Sequence, residues 1–238
     1  MVIQRANLLL GLLAFVGIAQ FCFCTISAIQ HYPGGYSASE QFLSDLGCTA
    51  TRTHQDNTTS AKYFNQSIIL LGLLLIPFFL AMPSMLEEGQ QIVRSAGVLS
   101  AGGLIGLGLT PYDQQLVGHL ASLGLWLLST LLLVVMLFYL LGSRLNGFSR
   151  IVSTIATLAV IFAACGYLFI GTPSGHVLFQ KLVVIVVAGW FCLLLLVVSV
   201  TTVEAVLPHK LLIEQQARDY LEHISTHSHR RVKYRKRR

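Results

Sequence analysis

The sequence predicts an all-α polytopic membrane protein, a bundle of six transmembrane helices, and three observations predict it. The 238-residue chain is 54% hydrophobic and only 11% charged, where a soluble domain is nearer one quarter charged. Six apolar runs each approach or exceed the roughly 20 residues needed to cross a hydrocarbon core of about 30 Å. Only short connectors separate these runs, so a single membrane domain accounts for residues 1–207, followed by 208–226 and a basic tail, 227–238.

The runs fall near 6–29, 61–82, 92–110, 117–141, 149–170 and 179–204. The first is longer than the apolar part of a signal peptide and no A-x-A site follows it, so it is expected to remain as a span. The second holds Pro77, where the ring removes a helix hydrogen bond and a kink is expected. The third reads SAGVLSAGGLIGLGLTP, with Gly102 and Gly106 in a GxxxG pattern. Small residues let helices approach closely in lipid, so this span is expected at the centre of the bundle. The alternative is a homo-oligomer interface through Gly102 and Gly106.

Lys and Arg set the expected orientation. With the N-terminus inside, Arg5, Arg94, Arg144, Arg150, Lys210, Arg218 and the tail face the cytoplasm, leaving Arg52, Lys62 and Lys181 near the outer side. The tail RRVKYRKRR carries seven of the basic residues. It suits anionic lipid, at about 1 kcal/mol per basic residue. No nucleic-acid reading motif accompanies it. In 208–226, apolar residues at Leu212, Ile213, Ala217, Tyr220, Leu221 and Ile224 follow helical spacing, which predicts a cytoplasmic amphipathic helix. Five cysteines show neither metal nor disulfide spacing. NTT at Asn57 and NQS at Asn65 match the glycosylation acceptor pattern.

The first outer connector, HYPGGYSASEQFLSDLG, is unusually specified. SASE reads as a capping box from Ser37 to Glu40, and Gly47 as a helix stop. A short interfacial helix over 38–46 follows, with Phe42, Leu43 and Leu46 on its apolar side. Asp45 would then meet the negative end of the helix dipole, costing roughly 0.3–1 kcal/mol, and should find a cation, a donor or a metal. The other two outer turns, LTPYDQQLVGH and GTPSGHVLFQK, also carry ionisable groups. Together the turns supply His31 and Asp45, Asp113 and His119, His176 and Lys181.

The expectation is that Asp45, Asp113, His119 and His176 converge in one outward-facing pocket, because charges entering a low-dielectric site must be paired. At least one Asp–His pair should lie within roughly 3 to 5 Å. His119, His176 and Asp45 are the candidate metal ligands, and two His with a carboxylate could hold Zn²⁺ with a position open for water. Without metal, a His–Asp pair could act as base and orienter on lipid. Lys181 and His31 would hold an anionic headgroup.

YPGGYSASEQFLSDLG, followed by FNQSIILLGLLL, resembles the bacterial and archaeal membrane family called domain of unknown function 998. Tyr32, Pro33, Gly35, Tyr36, Ser37, Ser44, Asp45, Leu46, Gly47, Phe64, Asn65, Pro111, Asp113 and His119 match its Y-P-x-G-Y-S turn, its S-D-L-G, its F-N and its Pro-Asp with a following His. The likeness covers most of 6–205. More loosely, the chain is similar to the DRAM and FGF-receptor-activating-protein family. The resemblance implies six spans in a bacterial or archaeal plasma membrane and implies no activity. Where the family often carries an acid near the start of the last span, this chain has Gln180 and Lys181.

Two functional classes follow. The first is a structural or assembly partner in a membrane complex, with an outward Asp/His site for a lipid headgroup or a metal. The alternative is a membrane-embedded metal- or His/Asp-dependent hydrolase or transferase acting on lipid.

Overall fold

The computed structural model describes residues 2–86, 88–142 and 147–196. The expected helix in 208–226 and the basic tail lie outside the described residues. Among those described, six helices are long and apolar enough to cross a membrane, and the chain is a multi-pass, all-helical membrane protein. We label them α1 (Val2–Gln30), α2 (Thr58–Ala81), α3 (Gln90–Leu109), α4 (Leu116–Gly142), α5 (Gly147–Phe169) and α6 (Pro173–Leu196). Five begin within a few residues of the apolar runs. The sixth begins at Pro173 rather than near 179. Thr172 Oγ1 accepts the Gly175 N–H at 3.2 Å, and a Thr cap followed by Pro at the first helical position is a strong start signal. Pro77 lies inside α2 without ending it, and the chain stops short of α3 with a 3₁₀ turn, Met82–Met85.

Large apolar side chains point outward along the helices, including Phe23, Val117, Leu128 and Phe162. Lipid is as apolar as they are, so helix association must come from close packing and interhelical hydrogen bonds. Small residues on α3 provide it on two sides. Toward α2, a Cβ on Gly97 would overlap the Phe79 ring, and one on Gly108 would meet the Asn65 carbonyl at 2.7 Å. Toward α4, a Cβ on Gly103 would sit 2.6 Å from the Trp126 backbone, and Gly106 lies against Ser122. A buried hydrogen bond of 2.8 Å joins Ser100 and Thr130 across the same seam. So α3 is wedged between α2 and α4, as its composition predicts. Gly106 is committed inside the chain, whereas a Cβ on Gly102 would meet no atom within 4 Å.

On the opposite face of α2, Gln20 of α1 donates to the Ser67 carbonyl at 2.8 Å. Val183, Val187, Trp190, Phe191 and Leu194 of α6 are buried in the shared core, with Phe191 against Phe79 at 5.8 Å between ring centroids.

Candidate functional site

The connector between α1 and α2 folds over the end of the bundle at which α1 finishes and α2 begins. The expected helix over 38–46 does not form. Residues 38–41 are turn and bend, and only a 3₁₀ turn, Leu43–Gly47, is helical. Groups that a longer helix would have used are taken elsewhere, the Phe42 N–H by Asp45, the Leu43 N–H by Gln180 and the Gln41 carbonyl by Lys181, while the start of α2 holds the carbonyls that follow. Buried Asn57 donates to the carbonyl of Cys48 at 2.7 Å and that of Asp45 at 3.3 Å. Ser60 takes Leu46 at 3.1 Å and Asn65 takes Gly47 at 2.8 Å. Both acceptor-pattern asparagines thus serve as internal clasps, and Asn57 is 1% exposed, which removes it as a glycosylation site in the folded chain.

The 3₁₀ turn also corrects the environment expected of Asp45. Its carboxylate reaches back to accept the Phe42 N–H at 2.9 Å, so it caps the start of the turn rather than opposing the end of a helix. The same oxygen, Oδ2, accepts the Arg52 guanidinium at 2.9 Å. The expected partner therefore exists, and it is a cation seven residues away in the same connector.

Two further elements hold the connector. From α6, Gln180 Oε1 accepts the Leu43 N–H at 2.6 Å, and Lys181 donates to the Gln41 carbonyl at 2.5 Å. The Lys181 ammonium also lies 5.6 Å from the Tyr36 ring centroid. From the α3–α4 turn, Asp113 Oδ2 accepts the Thr49 N–H at 2.8 Å, its hydroxyl at 2.7 Å and the Ala50 N–H at 3.2 Å.

Beneath this strap lies a cavity of about 380 Å³ with Asp45, Arg52, Asp113 and His119 on its walls, together with Tyr32, Tyr112 and Tyr167. An apolar cavity of about 90 Å³ lies in the helix core, walled by Phe21, Ile68, Leu104, Trp126 and Phe191 among others. Ser44, Tyr112, His119, Leu123 and Gln180 line both.

The buried His119 ring hydrogen-bonds through Nδ1 to the Thr110 carbonyl at 2.9 Å. A carbonyl only accepts, so Nδ1 carries the proton and Nε2 is left as the second functional nitrogen. The indole N–H of Trp126, buried on the apolar wall, has no hydrogen-bond partner among the described residues. At this end burial disfavours ionised acids, and the carboxylates add to that. Burial pushes the Cys48 thiol up to about 12, and the nearby Asp113 and Asp45 carboxylates add to it. Tyr36 and Tyr32 are raised by burial and then by Asp45.

Asp45, Asp113 and His119 are thus brought to one cavity. His176 is not: its ring stands edge-on to Tyr167, 5.9 Å between centroids, and it is not on the cavity wall. No Asp–His hydrogen bond or ion pair forms among the described residues; Asp45 takes Arg52, and Asp113 takes the 49–50 segment. The ligand set of His119, His176 and Asp45 is likewise not assembled, and no three His, Cys, Asp or Glu side chains converge as metal ligands among the described residues. His31 is exposed, bonded to the Ser27 carbonyl at 2.8 Å and stacked near Tyr63. Lys181 is a clasp on the strap rather than a wall of the cavity. The sequence reading missed Arg52, Gln180 and Trp126 as parts of the site. Arg52 carried a signal as one of few basic residues in the outer connectors, and Gln180 as the residue standing where the resembled family often has an acid; Trp126 carried none.

In comparisons with known proteins, the chain matches no family model, no curated protein and no solved structure.

Proposed function

We propose that this protein holds a single amphiphile, a membrane lipid, with its headgroup in the polar cavity and the start of its tail in the apolar one. The observation that carries this reading is the pair of cavities with shared walls at Ser44, Tyr112, His119, Leu123 and Gln180. Polar space above apolar space is the arrangement an amphiphile requires. An apolar cavity of 90 Å³ is smaller than the roughly 150 Å³ that holds benzene, so it takes the first methylenes of a chain. The unpartnered Trp126 N–H supports the reading, since a buried donor calls for an acceptor and an ester carbonyl supplies one.

In this reading both termini are cytoplasmic, as the Lys and Arg distribution suggests, and the site faces out from a bacterial or archaeal plasma membrane. The family resemblance belongs to the same proposal: several of its matched positions, Asp45, Gly47, Asn65, Asp113 and His119, build or line the site. The assembly role is less well supported, because Gly106 packs within the chain and 208–226 lies outside the described residues. The hydrolase alternative is less well supported, because no Asp–His hydrogen bond forms among the described residues.

Native mass spectrometry of the full chain, released from membranes in mild detergent, tests the proposal. One retained lipid per chain is expected. Leu123→Trp, which fills the junction, should lose it while the melting temperature stays within a few degrees of wild type. A wild-type chain that carries no lipid overturns the reading. Reporter fusions after Asp56 and after Arg238 should read outside and inside; the reverse overturns the orientation.

A further inference from the structure

We infer that the headgroup held in the polar cavity is zwitterionic, with a primary ammonium and a phosphate, the phosphoethanolamine group. This rests on the amphiphile reading above and names its ligand class. The cavity wall carries two carboxylates, Asp45 and Asp113, against one guanidinium, Arg52. Arg52 is paired with Asp45 and Lys181 is held on the strap, so Asp113 is the wall carboxylate with no ion pair among the described residues, and a headgroup with negative charge alone leaves it so. A headgroup with an ammonium is attracted.

The hydrogen-bond arithmetic is more selective than the charge. Asp45 uses Oδ2 for both Phe42 and Arg52, and Asp113 uses Oδ2 for Thr49 and Ala50. Each Oδ1 is left without a donor among the described residues. The Asp45 side chain is 9% exposed, and its Oδ1 stays open to a ligand's donor. His119 Nε2 is a third acceptor, because Nδ1 donates to Thr110. A wall with open acceptors favours a ligand that brings donors. A primary ammonium brings three N–H groups; a trimethylammonium brings none. Meanwhile Arg52 gives Asp45 one nitrogen, and its remaining N–H groups have no acceptor among the described residues. Phosphate is the group a free guanidinium edge matches.

The experiment places the full chain in nanodiscs of equimolar phosphatidylethanolamine, phosphatidylcholine and phosphatidylglycerol with matched acyl chains, then reads the retained lipid by native mass spectrometry. About tenfold enrichment of the ethanolamine lipid over the choline lipid is expected, the scale of one charge-assisted hydrogen bond. Asp113→Asn should shrink that ratio by selectively lowering retention of the ethanolamine lipid. If that variant misfolds, Arg52→Gln provides the second arm and should weaken retention of all phosphate-bearing lipids alike. Equal retention of the three, or enrichment of phosphatidylglycerol, overturns the inference and leaves the amphiphile reading standing. Retention of none overturns the reading on which it rests. Displacement by millimolar free O-phosphoethanolamine supports the headgroup chemistry and assigns it to a soluble ligand.

Discussion

The Asp45 carboxylate and the Arg52 guanidinium meet at 2.9 Å, and the pair is lopsided: the Asp side chain is 9% exposed and the Arg 56%. The pair spans seven residues of one connector and ties its two halves together over the cavity. Removing the Arg leaves a nearly buried carboxylate with only the Phe42 N–H to balance it. Arg52→Ala should therefore cost more than an ordinary surface pair, on the order of 1–2 kcal/mol, against up to about 1 for an exposed one. A thermal melt in detergent reads this. A loss under about 0.5 kcal/mol would show that the pair is a bystander.

Gly47 is where the 3₁₀ turn touches α2. A Cβ there would overlap Asn65 Oδ1 and fall 3.0 Å from the Phe64 ring. Gly47→Ala should destabilise by about 1–3 kcal/mol. Asn65→Ala removes one of the two obstacles, so the double variant should lose less than the sum of the singles. Strict additivity in the melts would mean that the turn does not press on α2.

Adjacent glycines on α3 should behave oppositely. Gly103 would drive a Cβ into the Trp126 backbone at 2.6 Å, whereas Gly102 meets nothing within 4 Å. Backbone cannot yield as a side chain does, so Gly103→Ala should lower the melting point sharply. Gly102→Ala should be neutral or slightly stabilising, since Ala is the better helix former by up to about 1 kcal/mol. A change of oligomeric state in Gly102→Ala, read by mass photometry, would instead place a chain–chain contact on that face.

Alkaline pH should loosen the strap. The Cys48 thiol lies well above its ordinary 9.0, at about 12, because burial disfavours the thiolate. A group whose folded pKa is raised stabilises fully below its unfolded value and loses that contribution as pH climbs toward the folded one. Stability should fall between about pH 9 and 12, with Tyr32 and Tyr36 shifted in the same direction. Cys48→Ser should make the fall shallower, because a hydroxyl does not ionise there. In the folded protein near pH 7.5, a membrane-impermeant maleimide should leave Cys48 unmodified, and rapid labelling would contradict its burial.

The six spans and the close packing of α3 were determined by the sequence alone, because both are local properties. A helix in lipid satisfies its own backbone hydrogen bonds and needs only about 20 apolar residues, and a glycine-rich face permits close approach whatever faces it. The three polar turns were equally legible, since ionisable groups stand out in a chain with 11% charge. The tertiary structure decided the partner of each group. The Phe42 and Leu43 N–H groups go to Asp45 and Gln180 and the Gln41 carbonyl to Lys181, so the connector closes as a 3₁₀ turn, clasped by Asn57, Ser60 and Asn65, and Asp45 meets Phe42 and Arg52 instead of a histidine. Asp113 is drawn to Thr49, 64 residues away, and Gln180 to Leu43, 137 residues away. An early start at Pro173 puts His176 on a helix beside Tyr167, off the cavity wall. Hydropathy reports only the solvent that each segment prefers; pairing depends on which backbone donors and acceptors the packed helices leave unmet, and that exists only in three dimensions.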